Sequence, residues 1–460
     1  MQYVSFDVDG IREYVFSAYR PSLVQGASEL IKSALDCVEN EEGEAIKELK
    51  NTFRDIEVIY SCGGTGLLKV KESNGEKVCK ELEKIYAQMV PGSTLTAVWE
   101  KADNDFQTLL KKLSLKLRIE KNRKAINEKG NTMDGNFKNR CSTCGRGNIT
   151  NKIFIGGEEE HVCESCNKKY MKVKDERYPT SIEDIPYDKE RNPHITLIYC
   201  DLNNAGRILF ECKDENELRQ KSETIYNINL KIIKNIKSDT RDKSGLHLIT
   251  PVIGGDDLIF LLPAEKTFNV IDIIIFEEEV LKNLGLSFSI SFVVSHYHTS
   301  IYHLFTVASE SLKRAKEIYY KEPTTSGVDF VWLREGIPFK EEAGNFFLTA
   351  KPYKREDFIK IKEIAVNMLE EEIPPSYLYN LLEIVESEEN ENFKKINLFY
   401  YVHRSEDDKF LKIIKESLRS ERVGLEDVYK FFIPERGWRL YSRFSDIMEI
   451  YKILKLRSEK

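Results

Sequence analysis

The sequence contains no apolar run long enough to cross a membrane. Asp7 and Asp9 interrupt the apolar N-terminal stretch. Later runs, such as 258–263 and 273–276, are far shorter than the roughly 20 residues that a spanning helix needs. The fingerprints of P-loops, of Rossmann dinucleotide-binding folds and of G-x-S-x-G hydrolases are also absent. These absences argue against all four classes, and we expect a cytoplasmic protein without membrane contact.

The chain has no excess of positive charge, since its 69 lysine and arginine residues are outnumbered by 76 aspartate and glutamate residues. The formal net charge is -7, which argues against a free-standing nucleic-acid binder whose affinity comes from neutralising phosphates. The lysine-rich and leucine-rich stretch 111–124 is a local exception, compatible either with contact to RNA or another subunit or with the solvated face of an amphipathic helix. Five of the nine cysteines follow no pairing pattern, which favours a reducing cytoplasm. They are Cys37, Cys62, Cys79, Cys200 and Cys212.

A Gly-Gly-Asp-Asp tetrapeptide, residues 254–257, stands between two apolar runs and predicts a β-hairpin with two carboxylates at its tip. Asp201 ends another strand-like run, 195–200, and would face the hairpin if the two strands were neighbours. Two magnesium ions about 4 Å apart can promote an in-line phosphoryl displacement, and magnesium takes oxygen ligands. Gly254 and Gly255 would let a triphosphate approach the backbone closely. The tetrapeptide alone is also compatible with plain turn chemistry, but Asp201 favours a site for two magnesium or manganese ions.

The predicted elements around this tetrapeptide follow the order βαββαβ of ferredoxin-like palm domains. They are a strand ending at 201, a helix over 215–236, the hairpin, a helix over 268–284 and a strand over 287–294.

The same order occurs near the N-terminus, where Gly63-Gly64-Thr65-Gly66 forms the turn. Asp7 stands 194 residues before Asp201 (201 − 7), and Gly63-Gly64 stands 191 before the later Gly-Gly (254 − 63). We therefore predict two palms in tandem. Thr65 and Gly66 replace both aspartates in the first, so its metal site would be incomplete. A chance Gly-Gly between two strands is the alternative.

Two Cys-x-x-Cys pairs, separated by 18 residues, lie between the predicted palms. They consist of Cys141 with Cys144 and Cys163 with Cys166. Four thiolates at this spacing are typical of one closed, tetrahedral, structural zinc site. A redox function is the alternative, but redox cysteines do not normally come as a spaced pair of pairs.

A palm with this tetrapeptide, preceded by a four-cysteine element and a degenerate Gly-Gly palm, resembles the large subunit of CRISPR type III effector complexes, the polymerase/cyclase subunit. Residues 9–16 and 26–30 are similar to that family's opening segment, 308–316 to its post-palm helix, and 348–353 to the lead into its C-terminal domain. No His-Asp dipeptide occurs in this sequence, and the first predicted palm starts within ten residues of Met1, so we expect the family's usual N-terminal nuclease domain to be absent. We therefore expect no DNase activity.

The resemblance implies an α+β protein with two ferredoxin-like palms, an intervening zinc element and a C-terminal helical domain. The corresponding ranges are 1–110 for the first palm, 111–190 for the helical linker with the zinc element, 191–340 for the second palm and 341–460 for the helical domain. It also implies a nucleotidyltransferase that converts ATP to cyclic oligoadenylates in an RNA-activated complex, with crRNA, target RNA and other type III subunits as partners.

The residues assigned to this chemistry follow the motifs. The catalytic residues would be Asp201, Asp256 and Asp257, and the magnesium ligands would be Asp201, Leu202 and Asp256. The nucleotide-binding residues would be Gly254, Gly255, Asn204, Gly206, Gly63, Gly64, Thr65 and Lys316.

Three alternative functions remain open. The same palm could adenylylate a different small-molecule acceptor. The chain could be a diguanylate-cyclase-like enzyme, although Leu258 after the acidic pair, the zinc element and the fused second palm argue against it. A non-catalytic scaffold subunit is the third, and the intact aspartates argue against that function.

Overall fold

The computed structural model describes residues 1–37, 41–71, 74–103, 105–128, 139–174, 178–243, 245–323, 325–333, 349–387, 390–404, 408–433, 435–436, 439–440 and 442–458. It shows a mixed α+β protein with two main sheets and a helical C-terminal region. Within these ranges, no helix combines the length and the apolar character that crossing a membrane requires.

The first sheet and its helices are formed by the N-terminal part of the chain. In order they are β1 (Gln2–Asp9), α1 (Ile11–Val15), α2 (Pro21–Leu35), α3 (Glu44–Thr52), β2 (Ile56–Cys62), β3 (Thr65–Val70), α4 (Gly75–Met89), β4 (Thr94–Lys101) and α5 (Phe106–Glu128). The strand order is β2-β3-β1-β4, and all pairs are antiparallel. Because side chains alternate along a strand, β1 contributes Val4 and Phe6 to one core and Tyr3 to another, which contains Leu110 and Leu113 of α5.

A small hairpin and one helix follow. They are β5 (Asn151–Ile155), β6 (Glu158–Val162) and α6 (Glu164–Val173). Helix α6 packs closely on α2 at Gly26, where a Cβ atom would lie 2.1 Å from the carbonyl oxygen of Lys169. A glycine is therefore required at this helix crossing.

The second sheet has six strands. Its elements in order are β7 (His194–Asn203), α7 (Ala205–Phe210), α8 (Glu215–Asp239), β8 (Ile249–Gly254), β9 (Asp257–Pro263), α9 (Thr267–Lys282), β10 (Ser287–His296), α10 (Ile301–Lys321), β11 (Gly327–Trp332) and β12 (Tyr353–Lys354). The strand order is β12-β11-β10-β7-β9-β8, with only β10 and β11 parallel among these pairs. Strand β7 is central and buried along almost its whole length, which explains its continuous apolar sequence.

The C-terminal region is mainly helical. It contains α11 (Arg355–Glu370), α12 (Pro375–Glu386), α13 (Glu391–Arg404), α14 (Lys409–Leu418), α15 (Leu425–Phe432), the short strands β13 (Glu435–Arg436) and β14 (Arg439–Leu440), and α16 (Arg443–Ser458). Phe410 and Phe444 lie in its buried aromatic core. The buried carboxylate of Asp446 accepts hydrogen bonds from the Tyr353 hydroxyl (2.6 Å) and the Ala350 amide (2.8 Å), which ties α16 to the second sheet.

Candidate active site

The end of β7 and the tip of the β8–β9 hairpin lie side by side. Asp201 and Asp257 are directly opposite each other in the antiparallel register, and the Leu202 amide donates to the carbonyl oxygen of Asp256 (2.7 Å). Residues directly opposite each other present their side chains on the same face of a sheet. The three predicted catalytic aspartates therefore meet at one end of the second sheet.

Two of these carboxylates are paired with basic side chains. Lys316 Nζ lies 2.7 Å from Asp201 Oδ1. Arg12 Nη2 lies 2.7 Å from Asp257 Oδ2, and the Tyr199 hydroxyl donates to the other oxygen of Asp257 (3.0 Å). The ligand atoms of the three aspartates do not all lie within 4.8 Å of one another. Among the described residues, four cysteines form the cluster of possible metal ligands that meets this distance.

The site disfavours negative charge in the absence of a cation. Burial raises the pKa of Asp201, and Lys316 opposes this rise. Burial of the site, followed by the charges of Asp257 and Asp201, raises the pKa of Asp256 to about 7. The Asp256 side chain is itself exposed at the turn, so solvent screening reduces the energetic effect of this shift. Carboxylates at one end of the sheet supply the oxygen ligands that a hard divalent cation prefers, so the residue types present fit a magnesium or manganese site.

The first sheet has the same arrangement at its own turn. Asp7 is opposite Thr65, and the Val8 amide donates to the carbonyl oxygen of Gly64 (2.9 Å). Comparison with the second sheet makes Gly64 equivalent to Asp256, and Thr65 to Asp257. The prediction that Thr65 and Gly66 replace the two aspartates is therefore wrong by one residue, because backbone hydrogen bonds and not the Gly-Gly dipeptides set the alignment.

Two cavities lie where the turns of the two sheets meet, with volumes of about 480 Å³ and about 530 Å³. Both are lined by residues of the two turns, Gly63, Thr65 and Asp256, and by Asp7 of β1 and Lys121 of α5. The first cavity also has the charged residues Arg12, Glu13 and Lys32 in its lining. The second has Leu209, Phe210 and Tyr226. One composite site thus joins a charged cavity to an apolar one.

A buried hydroxyl faces the second cavity without a protein partner. Ser222 is 5% exposed, and its Oγ makes no hydrogen bond within the described structure. A buried polar group normally has a partner, so this hydroxyl is available to a ligand. Ser28 lines the first cavity and stands 194 residues before Ser222 (222 − 28), the same spacing that relates Asp7 to Asp201.

The predicted nucleotide-binding residues occupy different parts of this site. Gly206 lines the second cavity, and both it and Gly255 have open space where a Cβ would stand. Asn204 precedes α7 in the left-handed conformation (φ 71°), which positions the start of that helix beside the cavity. Lys316 lines neither cavity and binds Asp201 instead. Gly254 is opposite Asp257 at the base of the turn.

The four predicted zinc ligands form a compact cluster. The sulfur atoms of Cys141, Cys144, Cys163 and Cys166 all lie within 4.8 Å of one another, and Cys144 Sγ is 3.8 Å from Cys163 Sγ. A tetrahedral ion with bonds of about 2.3 Å would place its sulfur ligands about 3.8 Å apart. The cluster therefore fits one closed zinc site.

Three residues at the composite site were not predicted from the sequence: Arg12, Tyr199 and Lys121. Lys121 lies on α5 and binds the Asp7 carboxylate (2.6 Å), although stretch 111–124 resembles a solvated helix face. The 194-residue spacing between the two units gives one indication of Arg12, because it makes Arg12 equivalent to Gly206, a predicted nucleotide-binding residue. The contact between α1 and the other sheet has no signal in the sequence.

Asp36 supports the first turn and should make stability depend on pH. The Gly63 amide donates to its carboxylate (3.0 Å). Burial raises the pKa of Asp36 to about 7, and the charge of Glu29 adds a smaller increase. Lys32 and the hydrogen bond from the Gly63 amide act in the opposite direction and lower this pKa. The folded pKa exceeds the unfolded value of about 3.9, so the folded state keeps a proton that the unfolded state loses between about pH 4 and pH 7, and stability falls as pH rises through this window.

We expect the variant Asp36→Asn to lose less stability than the unmodified protein when the pH is raised from about 5 to about 8. The measurement is the melting temperature of both proteins at the two pH values. Equal changes in melting temperature would contradict the assignment of this pH dependence to Asp36.

Residues 194–324 match the family model for the second palm domain of Cas10/Cmr2. No curated protein matches the chain by sequence. Its fold is similar to the crystal structure of the Csm1–Csm4 cassette in complex with pppApA, with a TM-score of 0.56 and 13% identity over 99% of this chain and 69% of that chain. Csm1 in T. onnurineus gives a TM-score of 0.56 and 14% identity over 100% and 70% of the two chains.

The Csm1–Csm4 cassette in complex with cA4 gives a TM-score of 0.52 and 14% identity over 99% of this chain and 69% of that chain. These structural similarities extend beyond the matched palm segment to nearly all of the chain. Residues 194–324 therefore resemble the second palm domain of a CRISPR type III effector large subunit, and nearly all of the chain shares the fold of the Csm1 structures.

Proposed function

We propose that the protein is a metal-dependent nucleotidyltransferase that joins ATP into cyclic oligoadenylates within an RNA-activated CRISPR type III complex. The observation that carries this proposal is the position of Asp201, Asp256 and Asp257 beside two adjoining cavities. Two cavities that share one carboxylate tip can hold two nucleotides with their reacting groups adjacent. The similar solved structures support the proposal, because their complexes contain pppApA and cA4.

Each part of the site has a proposed role. Asp201 and Asp256 would hold divalent ions, with Asp257 assisting and Leu202 beside them. Bound there, such ions would supply charge neutralisation for an in-line displacement and would lower the pKa of the attacking hydroxyl. In the reaction, a 3′ hydroxyl oxygen forms a bond to the α-phosphorus of the neighbouring ATP. The bond from that phosphorus to pyrophosphate breaks, and the hydroxyl proton passes to water.

The second cavity would bind the nucleotide that supplies the α-phosphate. Leu209, Phe210 and Tyr226 offer apolar surface to a base, and the Ser222 hydroxyl offers a hydrogen bond. The open space at Gly255 and Gly206 would let the triphosphate approach the backbone.

We also propose that both sheets are ferredoxin-like palms with the domain boundaries given by the sequence: 1–110, 111–190, 191–340 and 341–460. The support is the shared strand order, in which the first strand of each unit lies between its third and fourth strands. The second support is the common 194-residue spacing of α2 and α8, which begin at Pro21 and Glu215. The four-cysteine cluster would hold structural zinc between the palms.

Unequal cavities favour a second candidate function, the adenylylation of an acceptor other than ATP. Lys32 of the first cavity stands 194 residues before Tyr226 of the second (226 − 32), and Arg12 stands 194 before Gly206 (206 − 12). At these two equivalent positions the first cavity has charged side chains, whereas the second cavity has the ring of Tyr226 and the open space at Gly206. A polar or charged acceptor would suit such a lining.

The test is to incubate the assembled complex with target RNA, magnesium and each nucleotide, and to identify products by mass spectrometry. Cyclic oligoadenylates from ATP alone would support the main proposal. A product that contains one AMP joined to a different molecule would support the second candidate. Absence of any phosphodiester product, with RNA bound, would leave a scaffold function.

A further inference from the structure

Arg12 is a cation of the first palm that neutralises a carboxylate of the second. Its Nη2 atom lies 2.7 Å from Asp257 Oδ2, and its guanidinium carbon lies 5.4 Å from the centre of the Tyr199 ring. The Tyr199 hydroxyl occupies the other oxygen of the same carboxylate. Asp257 therefore has a donor on each oxygen before any divalent ion is considered.

The helix that carries Arg12 is anchored by buried contacts, whereas the Arg12 side chain is half-exposed. Lys169 is 1% exposed, and its Nζ donates to the carbonyl oxygen of Tyr14 (2.8 Å) and to the Ser17 hydroxyl (2.9 Å). Arg146 donates to the carbonyl oxygen of Glu13 (3.3 Å). The zinc element thus anchors the backbone of α1. The Arg12 side chain is 47% exposed and has room to change partners.

A second partner for Arg12 is available in the first cavity. Arg12 lines that cavity together with Lys32 and the Gly63-Gly64 turn. The lining also contains acidic side chains, including Asp7 and Glu13, but Arg12 and Lys32 together offer two cationic donors to a phosphate group. A guanidinium binds carboxylates and phosphates with the same planar fork of donors.

We propose that Arg12 is a positioning residue that exchanges partners during the reaction cycle. It neutralises Asp257 while no divalent ion is bound, and it binds a phosphate of the first-cavity ligand once Asp257 faces such an ion. The physical reason is that a divalent ion repels the guanidinium and takes over its role as counterion. This inference rests on the proposed function, because it assumes that the carboxylates hold metal.

The first experiment measures Mn²⁺ binding to the zinc-loaded full-length chain by electron paramagnetic resonance, without nucleotide. Arg12→Gln removes the competing cation, so we expect Mn²⁺ to bind about fivefold more tightly, the effect of losing a partly exposed ion pair. Arg12→Lys should retain most of the competition. Arg207→Gln is the matched control, because Arg207 is an exposed arginine at the start of α7 that pairs with Glu211.

The second experiment measures the KM for ATP of the same variants in the RNA-activated complex. Arg12→Gln should raise the KM, by about fivefold for the loss of one exposed phosphate contact, although it binds Mn²⁺ more tightly. If Arg12 had a merely structural role, Arg12→Gln would weaken both Mn²⁺ binding and ATP binding. Unchanged or weaker Mn²⁺ binding in Arg12→Gln, or the same change in Arg207→Gln, would overturn the inference.

A third variant separates this inference from the proposed function. Asp201→Asn should remove most Mn²⁺ binding if the aspartates form the metal site. If Asp201→Asn binds Mn²⁺ as the unmodified protein does, the proposed metal site is wrong and this inference fails with it. If Asp201→Asn loses Mn²⁺ and Arg12→Gln changes nothing, the inference alone is wrong.

Discussion

Replacement of both Asp256 and Asp257 by alanine is expected to abolish product formation, by more than roughly 1,000-fold, and to leave nucleotide binding and assembly largely intact. Positioning and charge neutralisation supply most of the catalysis of phosphoryl transfer, so loss of the metal ligands affects the reaction far more than the fold. Both side chains lie at the tip of a hairpin and are at least partly exposed, so their removal leaves no core cavity. The measurement is product yield against ATP concentration in the assembled, RNA-activated complex.

Thr65→Ala is the matched variant in the first sheet, since Thr65 is opposite Asp7 as Asp257 is opposite Asp201. This turn can contact a triphosphate but has no carboxylate to hold a metal. We expect a weaker apparent affinity for ATP and slower turnover that is not abolished. If the double aspartate variant keeps its rate, the second palm is not the catalytic one and the scaffold function gains support.

Cys141→Ser or Cys163→Ser is expected to release one zinc ion and to lower the melting temperature strongly. Formation of a closed thiolate site contributes directly to folding, with apparent binding free energies of about 10–16 kcal/mol in small zinc domains. Both cysteines are buried in a small core that also contains Ile153 and Val162, so the local hairpin depends on the same cluster.

The measurements for the cysteine variants are metal content by mass spectrometry and thermal unfolding. Cys37→Ser is the control, because Cys37 is a half-buried thiol outside the cluster. Unchanged zinc content and melting in both cluster variants would remove the zinc assignment.

Much of the fold around the site could be predicted from the sequence, because local patterns determine it. The apolar run before Asp201 corresponds to the buried central strand β7, and the helix predicted over 215–236 is observed as Glu215–Asp239. The four cysteines could be grouped because metal ligation imposes a strict spacing along the chain. These features depend on short-range periodicity and on the spacing of cysteines that bind one metal ion, and both are visible in a single sequence.

Features that depend on contacts between distant elements could not be predicted. The position of the first turn relative to β1 is marked by the hydrogen bond from the Val8 amide to Gly64, so the alignment suggested by the Gly-Gly dipeptides is one residue out. Arg12 reaches Asp257 across 245 positions of sequence. In the sequence, Lys121 cannot be distinguished from the other lysines of stretch 111–124, but in the structure it forms an ion pair with Asp7. In each case the pairing arises from contacts between elements that are distant in the sequence, which periodicity does not encode.

The inequality of the two turns gives the proposed reaction a direction. One hairpin tip has Asp256 and Asp257, and the equivalent positions of the other have Gly64 and Thr65. A pair of identical tips could activate either of two bound nucleotides, and the two could exchange the roles of attacker and attacked. With carboxylates on one tip alone, only the triphosphate beside the second palm can lose pyrophosphate, and the other molecule always supplies the hydroxyl. Each new bond then forms with the same polarity, and the growing product must move from one cavity to the other before the next addition.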